Sequence, residues 1–230
     1  DEGKRELDEH GALSVLLEVV VHSDNVVVKA AASEAASTWC DGDPAAQKEL
    51  IELGGLMAMG EMLTSPKPRI KSAGCNLLSS MFGDPAVAEL VLADPTIYKL
   101  TPQFLDLMLM DDVGVQTIAA RVVRTLITVP DRRKALLENG VIRSATMMMK
   151  ANHEELQYSA IEIVEKLLLA DTALRQEIIA MEEINFTLIE CAVSAQREDV
   201  IVGAIRALLL ISMEADEAAD HLCELGLLDA

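Results

Sequence analysis

Aromatic residues are almost missing from this chain: one Trp, two Tyr and three Phe in 230 residues. Strands favour Tyr, Phe and Thr, whereas cores of small and unbranched residues suit helices packed closely on helices. Hydrophobic residues still make up 51% of the chain, so there is ample side chain to bury and an all-α protein is the expectation. Positive charge is also short. Nineteen Lys and Arg stand against 38 Asp and Glu, for a net charge of −19. Such a chain repels a phosphate backbone and an anionic bilayer surface, which disfavours general nucleic-acid and membrane-surface binding. The acidity reads first as a solubility device.

Cysteine is sparse. Cys40, Cys75, Cys191 and Cys223 lie far apart and form no CxxC pair, a pattern of reduced thiols in a cytosolic protein rather than of a disulfide framework. No apolar run approaches the ~20 residues that a membrane span needs; the best, Leu13 to Val21, is interrupted by Ser14 and Glu18. The initiating Met is missing too, so the chain reads as an excised or processed piece whose targeting or lipidation signal would lie upstream. Catalytic signatures are missing in the same way. His10, His22, His153 and His221 are scattered, and His153-Glu154-Glu155 has Gln157 where a second metal-binding His would stand. There is no phosphate-binding or nucleophile-elbow glycine motif. No catalytic residue, metal or cofactor is expected, and no enzyme.

What the chain has is a period. A small turn residue followed by two mostly apolar ones recurs as Gly11-Ala12-Leu13, Gly54-Gly55-Leu56, Pro95-Thr96-Ile97, Gly140-Val141-Ile142, the degenerate Glu183-Ile184-Asn185, and Gly226-Leu227-Leu228. Their first positions are 43, 41, 45, 43 and 43 residues apart. About ten residues upstream of each later turn stands a helix start: Asp43-Pro44, Asp84-Pro85, Pro130-Asp131, Asp171-Thr172 and Asp216-Glu217. Asp caps free amides there, and Pro is tolerated in a first turn. An alanine marks the last helix of each unit, at Ala31, Ala73, Ala119, Ala160 and Ala204, followed four residues on by Ala35, Leu77, Val123, Val164 and Leu208. A small side chain there lets a neighbouring helix approach, and the i, i+4 step continues the face. Polar breaks at Asp24-Asn25, Pro66-Lys67-Pro68, Asp111-Asp112, 152–155 and 196–199 precede these last helices. A period of this length signals stacked helical repeats.

The unit of short helix, Gly turn, second helix, polar break and third helix with a central alanine resembles the armadillo repeat, and the resemblance covers almost the whole chain. It implies an all-α, right-handed superhelix (an α-solenoid) over 1–230. A partial unit spans 1–23, units span about 24–65, 66–111, 112–152 and 153–195, and a second partial unit spans 196–230. A lone unit cannot bury its apolar face, so stacking is obligatory. Glu214, Asp216, Glu217, Asp220, Glu224 and Asp229 are placed to solubilise the C-terminal end.

The resemblance also implies a peptide-binding groove lined by third helices, with a Trp two residues and an Asn six residues after the alanine. Here the first series holds Ser33, Cys75, Arg121, Glu162 and Arg206, and the second Ser37, Ser79, Thr125, Lys166 and Leu210. Neither ladder exists, which argues against a nuclear-import receptor. Seven basic residues (Arg121, Arg124, Arg132, Arg133, Lys134, Arg143 and Lys150) stand against Asp131 and Glu138 in that stretch. They form a candidate docking patch for an acidic or phosphorylated segment, unless Arg121 simply pairs with Glu162 one repeat away at ~10 Å and the rest are solvated. Trp39 reads as core, and most of the eleven Met as gap fillers, including Met147, Met148 and Met149.

A protein-binding scaffold follows. In size, repeat count and lack of other domains the chain is similar to armadillo-repeats-only proteins of parasitic protists. That likeness implies a cytoplasmic adaptor held on the cytosolic face of an organelle by an acylated N-terminus, recruiting a motor protein or a signalling enzyme. A chaperone regulator and a structural module of a larger protein are the alternatives.

Overall fold

The computed structural model describes residues 11–213, apart from residue 171 and the side chain of residue 173. These residues form fifteen helices and, among them, no strand. The first repeat contributes α1 (Ala12–His22) and α2 (Val26–Cys40), the second α3 (Pro44–Glu52), α4 (Gly55–Leu63) and α5 (Pro68–Ser80). The third contributes α6 (Pro85–Ala93), α7 (Pro95–Lys99), α8 (Thr101–Leu107) and α9 (Val113–Leu126). The fourth has α10 (Pro130–Glu138), α11 (Val141–Met149) and α12 (Glu154–Ala170), and the fifth α13 (Thr172–Ile179), α14 (Glu182–Ser194) and α15 (Glu198–Ser212). The chain divides into two compact units, Asp1–Gln103 and Phe104–Ala230. The expected marks at Asp171, Asp216-Glu217 and Gly226-Leu227-Leu228, the acidic residues from Glu214 onward, and Cys223, His10 and His221 lie outside the described residues.

The punctuation of the sequence becomes the helix ends. Gly11, Gly54 and Gly140 precede the second helices at φ 68°, 87° and 87°, the left-handed region that costs a residue with a Cβ roughly 1–2 kcal/mol. The third repeat lacks this glycine and uses Asp94 instead, whose carboxylate accepts from the Thr96 amide at 2.7 Å. First helices open on Asp43, which accepts from Ala45 and Ala46, and on Asp84, which accepts from Ala86 and Val87. Third helices open on Asn25 and Asp112 in the same way. The second helix of the third repeat is broken at Leu100. Pro102 has no amide to give to the Tyr98 carbonyl one turn back; the Thr101 hydroxyl donates to that carbonyl instead, at 2.8 Å.

In the unit Asp1–Gln103, α2 packs along α5, and α1 and α4 cover them from one side. Gln47 on α3 ties the two third helices at their ends, its Nε2 donating to Cys40 O at 2.9 Å and Ser80 O at 2.8 Å. In the unit Phe104–Ala230, α12 lies between α9 and α15, with α11 and α14 behind. The cores are aliphatic throughout, with Phe104 the largest fully buried side chain.

Burial corrects the register of the small residue in the first two repeats. Ala119, Ala160 and Ala204 are fully buried, flanked by buried residues four before (Val115, Leu156, Val200) and four after (Val123, Val164, Leu208). The same pattern centres α5 on Gly74, between Ile70 and Leu78, rather than on Ala73. It centres α2 on Ala32, with Ala36 four on; Ala31 and Ala35 are exposed. Runs of adjacent alanines and glycines left the sequence ambiguous by one residue. Cys40 takes the core position expected for Trp39, which is half-buried.

Gly74 shows how tight the approach is. A Cβ built there would lie 2.7 Å from Met62 Cβ and 3.6 Å from the Leu63 amide nitrogen. Gly74→Ala is expected to lower unfolding stability by roughly 1–2 kcal/mol, overpacking outweighing the ~1 kcal/mol gained in helix propensity. Gly83→Ala, which meets nothing closer than Ser80 O at 4.0 Å, is the control. Urea unfolding followed by circular dichroism reads both.

Candidate functional site

The third helices are counted from these centres, the first four agreeing in the residue that follows. The residue one after the centre is Ser33, Cys75, Ala120 or Ile161, and each is buried. The residue five after reaches toward the next third helix. Ser37 Oγ donates to Asn76 O at 3.3 Å. Arg124 pairs with Glu162 across α9 and α12, and Glu165 accepts from Arg206 Nη2 at 3.2 Å across α12 and α15. The partner is in each case two residues after the neighbour's centre: Asn76, Glu162, Arg206. The groove series two residues on is therefore Glu34, Asn76, Arg121, Glu162 and Arg206, and the series six residues on is Thr38, Ser80, Thr125, Lys166 and Leu210.

Four sequence-derived groove residues change place accordingly. Ser33 is fully buried and donates to Ala73 O at 3.1 Å, and Cys75 is fully buried; neither can meet a partner. Ser37 and Ser79 stand five residues after the centre, and Ser37 there contacts the neighbouring third helix. Arg124 pairs with Glu162. Arg124 likewise stands five residues after its centre, while Arg121, Thr125, Glu162, Lys166 and Arg206 stand at groove positions; none of the six is buried. The basic stretch also divides: Arg132, Arg133 and Lys134 belong to α10, Arg143 belongs to α11, and Lys150 follows it. Arg133 Nη1 donates to Ile127 O at 3.4 Å, and Lys150 Nζ meets Glu183 Oε1 at 2.7 Å.

The unit Phe104–Ala230 has a concave site on this face. Thr117, Ala120, Arg121 and Arg124 from α9 meet Glu155, Tyr158, Ser159 and Glu162 from α12 around an open cleft of about 250 Å³, which Arg197 also lines. Spacing explains the composition, since Thr117 and Arg121, Glu155 and Ser159, and Tyr158 and Glu162 are i, i+4 pairs on single helix faces. Arg197 enters from the break before α15. Its backbone N–H donates to Glu154 Oε1 at 3.0 Å, and its guanidinium is held by Asp199 through Nε at 3.0 Å and Nη2 at 2.5 Å. It lies 6.0 Å from the centre of the Tyr158 ring, within reach of a cation–π contact. Burial, then the charge and hydrogen bond of Glu162, push the Tyr158 phenol above its ordinary range, with Arg124 acting the other way.

Tyr158, Glu155 and Arg197 were not among the residues drawn from the sequence. Tyr158 stands two residues before a central alanine, one turn from the groove position Glu162, and that spacing was the available signal. Arg197 sits in a polar break, where charge is ordinary. Among the described residues the cysteines are buried thiols outside any disulfide, at Cys40, Cys75 and Cys191, and burial followed by the charge of Glu190 raises the Cys191 thiol to about 11.

An ultraviolet pH titration tests the site's electrostatics. Tyr158 should ionise above a free tyrosine, and Glu162→Gln should move it back toward 10. Because the folded phenol is the weaker acid, its contribution to stability is full below the unfolded value near 10 and is lost as pH rises through the folded one.

No family model and no curated protein matches the sequence. Solved structures do match. A designed armadillo repeat protein superposes with a TM-score of 0.75 at 16% identity, covering 93% of this chain and 88% of the other. A computationally designed armadillo protein for modular peptide recognition gives 0.78 at 16% identity, covering 94% and 89%. A designed armadillo repeat protein in complex with the peptide (KR)4 gives 0.74 at 16%, again covering 94% and 89%. The chain has the armadillo-type repeat fold, an all-α solenoid.

Proposed function

We propose that this chain is a non-enzymatic scaffold that binds a segment of a partner protein against its third helices. The observation that carries this reading is the α9–α12 cleft. It gathers charged and hydroxyl side chains from successive repeats on one concave face, at positions the fold itself does not need for its core. Solved proteins of the same fold include one bound to a peptide, which supports a peptide as the occupant here. Proteins that only hold others can also bridge them, so the reading extends to an adaptor in the cytoplasm, on an organelle's cytosolic face. A motor or a signalling enzyme would then be the second partner, and a membrane anchor would be supplied outside the described residues. Similarity in size and repeat make-up to armadillo-repeats-only adaptors supports that extension.

Photo-crosslinking in the native cell tests the scaffold. A benzoylphenylalanine placed at Thr117 or Ser159, inside the cleft, should capture a discrete protein partner; the same probe at exposed Met147 on α11 should not. Arg121→Glu with Arg124→Glu should reduce capture about tenfold at unchanged helical content, a loss of about 1.4 kcal/mol. Equal labelling from Met147, or capture unaffected by the double change, would remove the cleft from the proposal.

A further inference from the structure

Three arginines line one depression in a chain whose net charge is −19. Arg121 and Arg124 come from α9 and Arg197 from the break before α15, so the three approach from two directions. Resident carboxylates are already held there: Arg124 holds Glu162, and Arg197 holds Asp199. These resident pairs decide what the cleft can gain from a ligand. An incoming Asp or Glu side chain would only exchange one half-exposed monoanion for another, and such pairs are worth little. A phosphorylated side chain carries about −1.5 to −2 charges at pH 7 and three strong acceptor oxygens. Each guanidinium has five N–H donors in a planar fork, so donors remain after the resident pairs are made. Those pairs also hold the arginines in place beforehand, which lowers the cost of ordering them on binding.

Glu155 opposes any anion. Its exposed carboxylate lines the same cleft. A monoanion gains too little to overcome it, whereas a dianion gains enough, so Glu155 acts as a threshold.

We propose that the cleft of Arg121, Arg124, Glu155 and Arg197 recognises a phosphoserine or phosphothreonine in an extended segment of the partner. This inference rests on the scaffold reading and names the chemistry of its occupant.

The full chain would be titrated, by fluorescence anisotropy, with labelled peptide libraries of degenerate flanks around a fixed central phosphoserine, serine or glutamate. The phosphoserine library should bind about tenfold tighter than either other library, as expected where charge-assisted bonds replace neutral ones. That preference should shrink as pH falls from about 7.5 to 5.5, through the second phosphate pKa near 6. Arg124→Gln or Arg197→Gln should abolish it. Glu155→Gln, an exposed change that leaves folding intact, should tighten phosphopeptide binding severalfold and let the glutamate library bind. Phosphoserine and serine libraries binding within about twofold of each other would overturn the phosphate assignment, while cleft-specific crosslinking kept the scaffold standing. A preference that survives both arginine changes and ignores Glu155→Gln would place phosphate recognition elsewhere. Loss of cleft crosslinking itself would overturn both.

Discussion

Helices that stack side by side over several repeats must come close, and the distance is set where one helix presents its smallest residue to its neighbours. Here that residue is Ala32, Gly74, Ala119, Ala160 or Ala204. At Gly74 even a methyl group does not fit without movement of Met62 on α4, the second helix of its own repeat. Between third helices the residue five places after one centre meets the residue two places after the next, so packing decides which polar groups meet. In the N-terminal unit they are Ser37 and the Asn76 carbonyl; in the C-terminal unit they are Arg124 with Glu162 and Arg206 with Glu165.

That geometry separates fold from function along a single helix. Residues four after the centre are spent on packing, and residues five after it on the neighbour. In the C-terminal unit, residues two before and two after it supply Thr117, Arg121, Tyr158 and Glu162 to one cleft. The charges there are held in pairs that are partly exposed, with side-chain exposures of 33% and 22% for Arg124 and Glu162. Such pairs contribute modestly to stability but fix where each guanidinium points, which is what a site needs before its ligand arrives. The strong negative total does not describe this face, where arginines and carboxylates alternate from helix to helix.

The repeat was legible because its punctuation is chemical: a positive-φ glycine can hardly be replaced, and an Asp or Asn cap must precede free amides. Turns at Gly54 and Gly140 and starts at Asp43 and Asp84 therefore fell where the sequence placed them. The site was less legible. A one-residue ambiguity among Ala30, Ala31 and Ala32, and again between Ala73 and Gly74, moved Ser33 and Cys75 onto a surface they do not occupy. At Ala119, Ala160 and Ala204 the burial pattern keeps the register read from the sequence, so Arg121, Glu162 and Arg206 stay two residues after their centres. Arg197 could not be found this way, because its position depends on the break before α15 folding back on Glu154, a contact 43 residues apart in sequence.

The central claim is that third helices are matched through these rungs, and a charge exchange tests it most directly. Arg124→Glu and Glu162→Arg would be made singly and together, and unfolding stability measured for all four proteins. If the two side chains face each other, each single change juxtaposes like charges and destabilises, while the double exchange recovers most of the loss, with a coupling of about 0.5–1 kcal/mol. Losses that simply add would show that α9 and α12 are not in this register, and the cleft built on it would fall with them.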